Sequence, residues 1–137
     1  MNIYQHYVLP KMIDMACGTG QVMKARANIV PQATGEVLEI GIGSGLNLEF
    51  YDASQVTSII GIDPAAQMQA LADKRAAQMA IPIEIIAADI YEIDAEHARF
   101  DTIVMTFTLC SIDDPIPALT EMARLLKPEG RLDRKST

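Results

Sequence analysis

Three glycines at alternate positions are the part of this sequence best suited to binding a ligand. Gly41, Gly43 and Gly45 come directly after a short apolar run at residues 37–40. Because glycine has no Cβ atom, the backbone can leave a strand, turn, and present bare peptide groups to a flat ligand. The pattern predicts a nucleotide-type cofactor site.

Three polar side chains follow other apolar runs in the same way. Asp63, Asp89 and Thr106 each stand at or beside the end of a predicted strand. The carboxyl ends of parallel strands share one edge of a sheet, and ligands bind there, at the point where the strand order reverses. We therefore expect the glycine loop and these residues to converge.

Strands and helices alternate along the chain, which predicts an α/β, doubly wound, mostly parallel sheet with helices on both faces. Pro64 suits the first turn of the helix that follows the predicted strand at 58–62. The predicted strands cover residues 37–40, 58–62, 83–86 and 100–105, and a fifth opens at 131–132 after a turn at 128–130. The predicted helices cover residues 21–29, 45–51, 64–79 and 115–127.

Composition narrows the class of protein. With 137 residues, half of them hydrophobic, and a net charge of -7, the chain fits one globular domain that is poorly suited to nucleic acid. No apolar run approaches the ~20 residues of a membrane span, and no signal pattern opens the chain, so we expect a cytoplasmic protein. The two cysteines and two histidines have no metal-ligand spacing, and we expect no metal.

The spacing of the glycines bears on which cofactor binds. A dinucleotide loop needs Gly-x-Gly-x-x-Gly, but Leu46 occupies the last of these positions and Gly45 comes one residue early. Asp63 lies about twenty residues further on, as expected of an acid that binds a ribose. It also fits the N-cap of the following helix, and the two roles can coexist.

A larger pattern resembles a known family. Glu39-x-Gly41-x-Gly43-x-Gly45, Asp63, Ala88-Asp89 and the run Leu-Leu-Lys-Pro-Glu-Gly-Arg-Leu at 125–132 resemble the class I S-adenosylmethionine-dependent methyltransferases, type-11 group. The run Thr-Phe-Thr-Leu-Cys-Ser at 106–111 is similar to the branch that contains microsomal thiol methyltransferases and their small bacterial relatives. The resemblance covers about residues 30–132.

The resemblance implies S-adenosyl-L-methionine as the cofactor and a small molecule as the methyl acceptor. Glu39 would organise the loop and a bridging water, and Asp63 would bind the ribose hydroxyls. Asp89 would accept from the adenine amino group, Ile90 would pack on the ring, and the Thr106 carbonyl would face the methionine amine. The implied cofactor-binding set is Glu39, Gly41, Gly43, Gly45, Asp63, Pro64, Asp89, Ile90 and Thr106.

The sequence identifies no catalytic base, because methyl transfer from a sulfonium mainly needs in-line placement. Residues 1–34 are expected to form a helical arm or lid over the site, with a glycine-rich segment at 14–20 that lacks a preceding strand. The side chains considered for the acceptor side are Tyr4, His6, Tyr7, Asp113 and Asp114. The paired aspartates fit helix caps equally well.

The end of the chain departs from the family pattern. The resemblance implies seven strands, whereas the chain stops as the fifth begins, and residues 133–137 read as a polar tail. We therefore expect a C-terminally truncated methyltransferase domain at 35–132, with an uncovered sheet edge that could pair in a homodimer. The alternatives are a non-catalytic domain that binds cofactor or a partner, and an NAD-dependent oxidoreductase.

Overall fold

A computed structural model describes residues 20–93, 98–106 and 115–135. Its sheet has five parallel strands in the order β3-β2-β1-β4-β5. The strands are β1 (Gly35–Ile40), β2 (Val56–Ile62), β3 (Ile83–Ile86), β4 (Phe100–Thr106) and β5 (Leu126–Lys135). The α-helices are α1 (Gly20–Ile29), α2 (Gln69–Ala76) and α3 (Pro115–Leu125). The predicted α/β doubly wound class is confirmed.

The strand order reverses beside β1, which pairs with β2 on one side and with β4 on the other. Alternate residues of β1 point to opposite faces of the sheet. Val37 is buried in one hydrophobic core and Leu38 in the other. Continuous apolar strands are required because both faces are covered. The geometry puts the glycine loop at the switch point of the sheet.

The predicted helix at 45–51 is wrong. The loop continues instead into one turn of 3-10 helix, Leu48–Phe50, and Tyr51 is already extended. The Asp52 side chain explains the stop, since its carboxylate accepts from both the amide and the hydroxyl of Ser54. Such local side-chain bonds compete with helix propagation.

The helix expected from Pro64 begins later. A 3-10 turn covers Ala66–Met68, and α2 follows it. The Asp63 carboxylate accepts a hydrogen bond from the amide of Ala65 in a side-chain turn. Pro64 therefore lies in the connection between β2 and the 3-10 turn and does not start the helix. Asp63 therefore does not serve as the N-cap considered from the sequence.

Strand β5 is longer than expected. Phe100 pairs with Leu126 and Thr102 pairs with Arg131, so residues 127–130 bulge out where a separate turn was expected. Residues 133–135, which the sequence predicted as polar tail, pair with the end of β4. Backbone hydrogen bonds to an ordered neighbouring strand do not depend on side-chain polarity. The polar residues at 133–135 therefore gave no sign in the sequence that the strand continues.

Candidate functional site

The glycine loop is built on positive backbone dihedrals. Gly41, Gly43 and Gly45 have φ values of 71°, 56° and 85°, a region that other residues rarely adopt. The amide of Gly41 donates to the carbonyl of Ile62 at 2.8 Å, which keeps the start of the loop against β2. The alternate glycines therefore turn the chain immediately beyond β1.

The glycine at position 45 has a packing role. A Cβ atom there would lie 3.2 Å from the Cα of Ala72 and 3.1 Å from Leu48, so its absence lets α2 approach the loop. At Gly43 the nearest atoms would be 4.0 Å away. The space beside Gly43 is open, whereas Gly45 serves the close packing of helix and loop.

Asp63 joins the loop to the end of β2. One carboxylate oxygen accepts from the amide of Gly43 at 3.0 Å, and the other accepts from Ala65 at 2.8 Å. Each carboxylate oxygen has two lone pairs, so further donors can still be accepted. Asp63 thus fixes the loop and retains capacity for a ligand.

Asp89 opens the segment after β3. Its carboxylate accepts from the amide of Tyr91 at 2.8 Å, and its own amide donates to Glu92 at 3.1 Å. These bonds cap the 3-10 turn Ile90–Glu92. Ile90 is buried there against the core on the α3 side of the sheet.

A cleft of about 210 Å³ connects the ends of β1, β2 and β3. It contains Gly41, Asp63, Pro64, Asp89 and Ile90 from the predicted set. The described residues that line it are Ile40, Gly41, Ile62, Asp63, Pro64, Ala88, Asp89, Ile90, Tyr91 and Ala118. Among these described residues the charged side chains are two aspartates, and none is Lys or Arg.

Glu39, Gly43 and Gly45 are not among the described residues that line this cleft. Gly43 adjoins it through Asp63, and Gly45 packs against α2. Thr106 is the last residue of β4, one position beyond the pair formed by Ile40 and Met105. Glu39 belongs to the opposite face of the sheet, with its side chain buried.

Glu39 lies at the centre of a buried polar cluster, which comprises Arg26, Glu39, Asn47 and Tyr51. Its carboxylate accepts from Tyr51 Oη at 2.7 Å and from Asn47 Nδ2 at 3.0 Å. Arg26 Nη1 donates to Asn47 Oδ1 at 2.7 Å. Burial raises the pKa of Glu39 from 4.5 to about 7, although both hydrogen bonds and the charge of Arg26 act to lower it.

The sequence did not predict the polar cluster around Glu39, nor the glycine that makes room for the loop. Arg26, Asn47 and Tyr51 had no motif of their own, and only folding brings them to Glu39. Gly61 gave a signal, because a glycine inside an apolar strand often marks a close approach. A Cβ atom at Gly61 would clash with the side chain of Ile42 in the loop.

A second cleft, of about 270 Å³, lies behind the loop and includes Gly45, Glu49 and Arg75. Arg75 donates to the carbonyl of Ser44 at 2.7 Å, so this side also supports the loop. No strand contributes to its lining among the residues that the structure describes. The smaller cleft lies instead at the switch point of the sheet, where ligands bind in sheets of this type.

Several residues considered from the sequence lie outside the described part of the chain. They are Tyr4, His6, Tyr7, Cys17, His97, Cys110, Asp113 and Asp114. In the described ranges there is no group of three or more His, Cys, Asp or Glu that could hold a metal. Nor does any described helix have the length and apolar character needed to cross a membrane.

Comparison with known proteins identifies the family. Residues 38–132 match the model of the methyltransferase domain family, and the chain belongs to this family. S-adenosyl-L-methionine is the cofactor of the class. The structure is similar to the crystal structure of a candidate S-adenosyl-L-methionine-dependent methyltransferase of Methanococcus maripaludis. The TM-score is 0.78 at 22% identity, covering 99% of this chain and 66% of that one.

Two of the following curated relatives are named for different methyl acceptors. The mitochondrial methyltransferase OMS1 of Saccharomyces cerevisiae is 29% identical over 96% of this chain and 32% of its own length. Phosphatidylethanolamine N-methyltransferase of Cereibacter sphaeroides is 34% identical over 72% of this chain and 48% of its own length. Thiol S-methyltransferase TMT1B of Rattus norvegicus is 28% identical over 70% and 40%. The chain thus spans a third to a half of the length of these relatives.

Proposed function

We propose that this chain binds S-adenosyl-L-methionine in the cleft at the ends of β1, β2 and β3 and transfers its methyl group to a small molecule. The observation that carries the proposal is the pairing of Asp63 with the glycine loop beside Asp89. The cleft is smaller than the ~300–1,000 Å³ of a complete ligand site, so we assign it to the adenosine part of the cofactor.

The chemistry of the lining supports this cofactor. Asp63 would accept the ribose hydroxyls with the lone pairs that Gly43 and Ala65 leave unused. Asp89 would accept from the adenine amino group, with Ile90 against the ring. The carbonyl of Thr106 and the loop from Gly41 to Gly43 would face the methionine part. A sulfonium and an ammonium favour acids, whereas a pyrophosphate favours the cations that the described lining lacks.

Isothermal calorimetry with S-adenosylmethionine tests the site. Asp63→Asn keeps the size of the side chain but removes its charge and half of its acceptor capacity, so we expect affinity to fall about tenfold or more. Asp73→Asn is the matched control, because Asp73 is exposed on α2 and should bind like the parent. Equal affinity in Asp63→Asn and Asp73→Asn would refute the assignment, and tighter binding of NAD would favour the oxidoreductase alternative.

Methyl transfer is tested separately. Radiolabelled S-adenosylmethionine is incubated with a thiol, a phenol and an amine, and transfer to one of them is the expected result. Binding of cofactor without transfer to any acceptor would favour the non-catalytic alternative. A cytoplasmic location and a homodimer through the sheet edge stay predictions, the latter tested by sedimentation.

A further inference from the structure

Arg26 lies outside residues 38–132, the range that matches the family, yet its side chain reaches the cofactor loop. It belongs to α1, and only 7% of the residue is exposed. Its guanidinium bonds to Asn47, which bonds in turn to Glu39 at the end of β1. One amide therefore connects a cation on α1 to the carboxylate beneath the loop.

The amide of Asn47 has one favoured orientation between these charges. Its carbonyl oxygen accepts from the charged Arg26, and its nitrogen donates to Glu39, a bond that is strengthened in the same way when the carboxyl is ionised. Asn47 comes two residues after Gly45 and immediately before the 3-10 turn Leu48–Phe50. Its side chain therefore holds the junction between the loop and this turn against Glu39 and Arg26.

This arrangement depends on ionised Glu39. A carboxylate is acceptor-only, but a protonated carboxyl turns one oxygen into a donor, which would either face the Nδ2 donor of Asn47 or make Tyr51 Oη accept instead of donate. The groups that act on Glu39 come from several elements. The charge of Arg26 on α1 and the two hydrogen bonds favour the ionised form, while burial and the charge of Asp63 oppose it.

We propose that Arg26 is a positioning residue for the cofactor loop, acting through Asn47 to keep Glu39 ionised and the loop ready to bind. Helix α1 and cofactor affinity are thereby coupled. The inference rests on the proposed function, since the loop is taken to be the cofactor loop. It adds a residue from the segment before the matched domain.

The test measures binding of S-adenosylhomocysteine by calorimetry between about pH 5.5 and 8.5, a range that brackets the titration of Glu39. In the parent, affinity should fall with decreasing pH, approaching tenfold per pH unit below the midpoint. In Arg26→Met the midpoint should move up by about one pH unit, with affinity recovered at the alkaline end. Ionisation of the probe itself is common to all variants and does not affect the comparison.

Two variants make the comparison specific. Lys24→Met removes a charge from an exposed position of the same helix and should follow the parent. Arg26→Lys keeps the charge without the planar guanidinium, so its midpoint should lie between those of the parent and Arg26→Met. If Arg26→Met does not fold, Arg26→Lys against Lys24→Met decides the question.

A pH profile of Arg26→Met that matches the parent would overturn the proposal, and so would an affinity lowered equally at every pH. Urea unfolding of the free protein over the same pH range tests the effect of Arg26 on Glu39 without any ligand, because the pH dependence of the free energy of unfolding reports the ionisation of Glu39. A parent that binds no probe at any pH would overturn the proposed function, and with it the role of Arg26 in binding. The unfolding curves would then still report whether Arg26 controls Glu39.

Discussion

Carboxylates at one edge of the sheet occupy two contrasting environments. Glu39 is 1% exposed and is held by Asn47 and Tyr51 on one face. Asp63 and Asp89 line an open cleft on the other side, where backbone amides hold them and acceptor capacity remains. The comparison indicates that the buried acid organises the loop, while the partly exposed acids are available to a ligand.

The strongest test of this contrast removes the buried acid. Glu39→Ala leaves the charge of Arg26 and the polar groups of Asn47 and Tyr51 buried without their carboxylate. We expect the free energy of unfolding to fall by about 3–5 kcal/mol. Urea denaturation measures the loss, with exposed Glu49→Ala as the control, expected to change stability by about 0.5 kcal/mol or less. Equal losses in the two variants would contradict a structural role for Glu39.

The pH dependence of stability separates the two environments without a change in shape. The pKa of Glu39 is about 7 in the folded protein against an ordinary 4.5, so the folded state binds the proton more tightly. Stability from this group is full below pH 4.5 and is lost as pH rises through 7, by about 3 kcal/mol in all. Glu39→Gln should abolish this slope in urea denaturation. A slope that persists in the variant would assign it to another group.

Below that range the sign reverses. The backbone amide of Glu36 lowers the pKa of Asp101, and the hydroxyl and amide of Ser54 lower that of Asp52. A lowered carboxyl pKa stabilises the folded state at pH values above its unfolded value, and this stability is lost as the pH falls. The slope of Glu39 is therefore read between pH 4.5 and 7.

The glycines provide a smaller and more local contrast. Gly45→Ala adds a Cβ atom at positive φ and 3.2 Å from Ala72, so we expect a loss of about 1–3 kcal/mol. Gly43→Ala has the same type of strain but open space, and should cost about 1 kcal/mol. Gly43→Ala should instead act mainly by lowering the affinity for the cofactor. Thermal melting with calorimetry measures both, and the reverse order of stabilities would contradict the packing role of Gly45.

Much of the fold was predictable from the sequence, because apolar runs and glycine punctuation are local signals. The strands near residues 37–40, 58–62, 83–86 and 100–105 and the helix near 21–29 all occur. The cleft residues Asp63 and Asp89 could be found because each closely follows an apolar strand. The buried polar cluster could not, since Arg26, Asn47 and Tyr51 are joined to Glu39 only by tertiary contacts. The sequence also did not predict that hydrogen bonds of side chains such as Asp52 would end a helix early.

The smallest expected effect distinguishes two roles of Asp89 in the cleft. Its carboxylate caps the turn Ile90–Glu92 and is proposed to accept from adenine. Serine is also a good N-cap, so Asp89→Ser should change stability by about 0.5 kcal/mol or less. Cofactor affinity should still fall about five- to tenfold, since serine has one oxygen for the cap and lacks the second, charged oxygen that would accept from the amino group. Asp89→Ala should lose both, with about 1 kcal/mol of stability. If the serine variant binds cofactor like the parent, Asp89 only caps the turn, and adenine must be recognised by other groups at this edge.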